Sequence, residues 1–115
     1  MLTSKERYEI FKDVFSHCGT FLTECDEEEV GWHIFEEFDT DAISFLHENT
    51  MNILLAEGYI TEEIYENSLL LASSFRKMER TPLWNTHDVI HREEWRKILV
   101  LADKISAMLE EHEKK

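Results

Sequence analysis

The sequence predicts an all-α fold, a single-domain bundle of about five helices spanning residues 1–115. Three observations carry this expectation. The chain has only three Gly and one Pro, too few for a turn-rich sheet architecture. Apolar residues make up 43 %, with seven Phe and three Trp, enough to fill a core without a disulfide or a metal. Those residues recur mainly three and four positions apart, the period of an amphipathic helix.

A first helix is expected from about Lys5 to Cys18, with Ser4 as N-cap and Gly19 as the stop. Tyr8, Phe11, Val14, Phe15 and Cys18 share its core-facing side. A second is expected from about Glu24 to Phe38. Thr23 is its candidate cap, with Asp26 three residues on, and five acids from Glu24 to Glu29 suit the positive end of the helix dipole. Val30, Ile34, Phe35 and Phe38 share one side of it. Asp26, Glu29, His33, Glu36 and Glu37 share the other, and Trp32 lies at the boundary. A third helix is expected from Thr40 or Asp41 to Glu57, capped by Asp39 and stopped by Gly58, with Asn49-Thr50 as a possible break.

The fourth begins after Thr61. Ile64, Ser68, Leu71, Ala72, Phe75 and Met78 form its stripe, and Leu69 and Leu70 widen it, as in a central helix covered on more than one side. Pro82 ends it, and Leu83 to His91 reads as a connection containing Trp84. The last helix, about Glu93 to Glu111, has the cleanest pattern: Trp95, Ile98, Leu99, Ala102, Ile105 and Leu109.

Charge is the dominant compositional feature. Twelve basic residues face 25 acidic ones, for a net −13. Between Asp13 and Phe75 there are 15 acidic residues and not one Lys or Arg. Such a field repels phosphate, so direct nucleic-acid binding is not expected, and it attracts a cationic partner. Cys18 and Cys25 read as two free thiols of a reducing cytosol. No apolar run approaches the ~20 residues of a membrane span, and Met1 to Glu6 lacks an apolar signal region. A cytoplasmic location, with no membrane partner, is the expectation.

Enzyme readings each lack a required residue. His87-Asp88, with His47 and Asp103, imitates the metal ligands of an HD-type phosphohydrolase, but the pair follows Pro82 in a connection and Asp103 comes too soon. No His has Glu three residues before it, so a di-iron bundle has no ligand pairs. Glu62-Glu63-Ile64-Tyr65-Glu66 resembles the first magnesium motif of a MazG-like pyrophosphatase, whose second motif is missing. Arg80 and His87 have the spacing of a HEPN-type ribonuclease, in which His87 would be the general base; this is the enzymatic alternative. No phosphate-binding glycine loop exists. No cofactor, no metal and no catalytic residue is therefore expected.

Trp84, the run Trp95-Arg96-Lys97-Ile98 and the run Leu101-Ala102-Asp103-Lys104-Ile105, together with size and acidity, resemble small helical immunity proteins of bacterial polymorphic toxin systems, including contact-dependent growth inhibition. The resemblance covers roughly the C-terminal 35 residues. It implies a non-enzymatic toxin inhibitor that binds a cognate basic toxin domain, such as a nuclease, in a 1:1 complex and occludes its substrate cleft with carboxylates. The toxin-binding residues expected on the charge pattern are Asp26, Glu29, Trp32, Glu36, Glu37, Asp39 and Asp41. Reversing Glu36, Glu37 and Asp39 to Lys should then slow association. A helical adaptor docking on a basic segment of a larger assembly is the alternative binding function.

Overall fold

The computed structural model describes residues 2–40 and 46–114. Every regular element among them is helical, so the all-α expectation holds. Among the described residues there are six α-helices: α1 (Ser4–Val14), α2 (Glu27–Val30), α3 (Glu48–Ala56), α4 (Glu62–Met78), α5 (Thr86–His91) and α6 (Glu93–Glu113). A 3-10 segment, Thr20–Glu24, precedes α2, and α2 runs directly into a π-helical segment, Gly31–Phe38.

The ends of the helices follow local chemistry. Thr3, not Ser4, caps α1, because Thr3 and Glu6 satisfy each other's backbone N–H groups in a capping box. The helix stops at Val14 rather than at Cys18; the turns that follow still bury Phe15 and Cys18. Thr23 does not cap the second helix, since its hydroxyl donates to the Thr20 carbonyl at 2.8 Å within the 3-10 segment. Asp26 takes that role and accepts from the Glu29 N–H at 2.8 Å. No break occurs at Asn49-Thr50: α3 starts at Glu48 and runs through both residues, with the His47 ring accepting from the Asn49 N–H at 3.2 Å at its start.

Thr61 caps α4 as expected, accepting from Ile64 N–H at 3.2 Å. Leu70 is 55 % exposed, so α4 is not covered on every apolar side. The stretch after Pro82 is more ordered than a connection. Asn85 accepts from the Asp88 N–H and donates to its carboxylate, which starts the short helix α5.

Gly58 ends the α3 region with φ +82°. That backbone shape is readily adopted only by glycine, and a methyl group there would meet nothing within 4 Å. Gly58→Ala is therefore expected to cost about 1 kcal/mol from backbone strain alone, read as a lower melting temperature.

The core is one cluster to which every helix contributes, and α4 packed on α6 is its largest helix pair. All six stripe residues of α6 are buried, as the pattern requires. Trp95 is fully buried and its Nε1–H donates to the Leu83 carbonyl at 2.7 Å. Phe35, Phe75 and Trp84 pack around it, with ring centroids 5.9–6.3 Å from it. The far end of α6 is fastened to α1, where Glu113 accepts from the Tyr8 hydroxyl at 2.9 Å and pairs with Lys12 at 2.8 Å.

Candidate partner-binding face

The second helical unit, α2 plus the π segment, positions most of the expected binding residues. Val30, Ile34 and Phe38 are its fully buried anchors. They turn Glu29, Trp32 and Glu36 outward, all exposed, with Glu37 half-buried. Asp26 is exposed and engaged as the cap of α2. Asp41 lies outside the described residues.

Asp39 differs from the others. Its Oδ1 lies 2.7 Å from the Arg76 guanidinium, which also donates to the Asp39 carbonyl at 3.1 Å. The Asp39–Arg76 contact is a close ion pair without the alignment of a hydrogen bond, since Oδ1 has no properly directed donor. Arg76 is the first basic residue after Lys12 and reaches back from the end of α4 to clasp the end of the π segment. Asp39 therefore holds the fold, and its charge is already countered.

The neighbouring carboxylates are not so countered. Residues 24–37 contain seven acids and no Lys or Arg. Among the described residues, the ion pairs involve Lys12, His17, Arg76 and Arg92, and none reaches an acid of that stretch. Glu27 accepts from the Thr86 hydroxyl at 2.8 Å, which ties α2 to α5 but leaves its charge in place.

Two large aromatic side chains stand beside these acids. Trp32 is 47 % exposed and Phe21 is 42 % exposed. They are joined by two histidines: His33 lies edge-on to Phe21 and to Trp32, at 5.2 Å and 4.7 Å between centroids, and His17 lies 5.3 Å from Trp32. The sequence pattern singled out Trp32 but not Phe21, His17 or His33 as a group. Phe21 sits 11 residues before Trp32, and its ring meets His33, not Trp32 itself, by tertiary packing of the 3-10 segment beside the π segment. Trp84 is partly buried against Phe35, Phe75 and Trp95 and belongs to the core.

The 3-10 segment is fixed from the other side. Asp103 of α6 accepts from the Thr20 hydroxyl at 2.5 Å and from its N–H at 3.2 Å. Gly19 permits this approach, since a Cβ there would come within 2.5 Å of the same carboxylate. Burial, and then Asp103, pushes the Cys18 thiol well up; burial and Glu29 push the Cys25 thiol up as well. Both are free thiols, and a raised thiol holds less of the nucleophilic thiolate.

The residues weighed for catalysis have different surroundings. Arg80 lines an open hollow of about 470 Å³ with Ser73, Arg76, Lys77 and Glu79, whereas the His87 ring packs on His91 at 4.5 Å within α5. No group of three potential metal ligands occurs among the described residues. No described helix is long and apolar enough to cross a membrane. Comparison with protein-family models, with curated proteins and with solved structures finds no match to this chain, so its function is argued from the chemistry of this face.

Proposed function

We propose that the chain is an acidic, cytoplasmic immunity protein that binds a cognate basic toxin domain one-to-one and neutralises it by occluding its substrate cleft. A nuclease is the toxin class that fits best, because a cleft built for phosphate is lined with Lys and Arg, which carboxylates can engage in the same way. The observation that carries the proposal is the exposed Trp32–Phe21 pair set among carboxylates that no basic side chain of the described chain neutralises. Aromatic anchors supply most of the energy in such interfaces, and surrounding charge speeds encounter and excludes wrong partners.

The binding surface is Asp26, Glu29, Trp32, Glu36 and Glu37, joined by Phe21. Asp39 is left out of the contact set because Arg76 already holds it. Copurification with the C-terminal domain encoded immediately upstream tests the proposal. A salt-sensitive complex is expected, and the double variant Glu36→Lys/Glu37→Lys should slow its association about ten-fold or more. Unaltered association kinetics in that variant would remove this face from the interface.

A further inference from the structure

The two histidines of this face meet nitrogen to nitrogen: His17 Nδ1 and His33 Nδ1 are 3.0 Å apart. A contact of that length needs one N–H and one lone pair. It forms when both rings are neutral, or when one is an imidazolium, but never when both Nδ1 atoms carry a proton. With both rings neutral, the Asp13 carboxylate 3.8 Å from Nε2 of the buried His17 favours the proton on that nitrogen, which leaves His17 Nδ1 as the acceptor and His33 Nδ1 as the donor; an imidazolium at His17 donates instead.

We propose that the His17–His33 contact is a proton-operated latch beside Trp32, closed while the pair holds at most one positive charge and opened by a second proton, so that acid weakens the hold on a basic partner.

The geometry supplies the coupling. His17 follows α1, His33 lies in the π segment, and the two rings support Trp32 and Phe21. Parting the histidines removes the polar contact that ties the turn after α1 to the exposed aromatics. The surrounding charges are identifiable on each packed element. Burial, and then the neighbouring His17, hold His33 below the ordinary imidazole value, and Glu29 and Glu37 on its own helical unit oppose them only in part. From α1, Asp13 faces His17. From α6, Asp103 bonds Thr20 and acts on Cys18, next to His17. The 3-10 segment brings the uncharged Phe21 ring to His33, and its Glu24 acts on Cys25. From α5, Thr86 takes up Glu27, and Asp88 is bonded to Asn85.

The sign follows from linkage. His33 is depressed in the folded protein, so the closed latch contributes its full stability above the unfolded imidazole pKa of about 6.5 and loses it as pH falls below that value. A basic partner seated on Trp32 adds positive potential beside the pair and opposes the second proton. By reciprocity the second proton opposes the partner. This consequence for binding rests on the function proposed above; the latch in the free protein does not.

The test has two arms. In the free protein, the indole N–H signal of Trp32, assigned with Trp32→Phe, is followed by NMR from about pH 7.5 to about pH 4.5, a span that starts above the ordinary imidazole pKa and reaches well below it, where the depressed His33 takes its proton. It should move together with the ring signals of His17 and His33 in the wild type, and the movement should be largely lost in His33→Gln, which keeps a hydrogen-bonding group but cannot take the proton. His17→Gln serves equally if His33→Gln fails to fold. A wild-type Trp32 signal indifferent to pH over that span overturns the latch without any variant, as does an undiminished shift in a folded variant. In the second arm, affinity for the upstream-encoded domain should fall by up to about ten-fold per pH unit in the wild type and stay level in the variant. Equal wild-type affinity at both pH values overturns the coupling. A Trp32 signal that titrates as expected while no partner binds at any pH would fault the immunity proposal and leave the latch standing.

Discussion

Truncating Trp32 to alanine is expected to weaken the complex with a basic partner by about 2–4 kcal/mol, chiefly through faster dissociation. The side chain is nearly half exposed in the free protein yet already supported by His17, His33 and, through His33, Phe21. An aromatic held in place before binding loses little side-chain entropy on docking, which favours a large net gain. Its flanking acids act differently. Glu29 and Glu36 are exposed and Glu37 is half-buried, so their effect should appear mostly in association rate and salt dependence. Trp32→Ala and Glu36→Lys/Glu37→Lys should therefore separate kinetically. The fold should hardly notice Trp32→Ala, because the buried anchors Val30, Ile34 and Phe38 remain. Titration of the purified partner against wild type and Trp32→Ala checks this; equal affinities would place the anchor elsewhere.

Trp95→Ala is expected to have the largest effect on stability, a loss of about 3–5 kcal/mol. Trp95 is fully buried at the start of α6, and its ring is packed by Phe35, Phe75 and Trp84 from the π segment, α4 and the stretch before α5. Alanine would leave a cavity among these elements and strip the Leu83 carbonyl of its donor. Set against the roughly 5–15 kcal/mol that ordinarily holds a domain folded, this is a large fraction. Urea unfolding measures it directly. A loss below about 1 kcal/mol would mean that the aromatic cluster collapses around the gap, or that it is not the centre of the core.

The fold was legible where apolar periodicity was strong. The stripe of α6 is buried to the last residue, and Thr61 and Gly58 mark their boundaries as their chemistry predicts. It was less legible where short polar side chains had competing uses. Thr23 could have capped a helix but bonds back to Thr20, which moves the start of α2 to Asp26. Asn85, read as part of a connection, caps α5 through Asp88. The π winding of Gly31–Phe38 has no signal in the sequence pattern. Such segments are rare, and this one carries Trp32 and His33.

Of the candidate face, the charge was readable because it needs no contacts: a stretch without Lys or Arg stays acidic in any fold. Trp32 could be singled out by its place at the edge of a helical wheel. The pairing of Asp39 with Arg76, the joining of Phe21 to Trp32 and the meeting of His17 with His33 all depend on tertiary packing between elements separated in sequence. No local pattern encodes them.

Neutralisation of a toxin is measured by cell survival. The C-terminal domain encoded immediately upstream is expressed alone, with this protein, and with its Trp32→Ala/Glu36→Lys/Glu37→Lys variant. Death is expected in the first case, survival in the second, and death again in the third with the variant present at wild-type levels. A harmless upstream domain, or full protection by the variant, would contradict the proposed neutralisation.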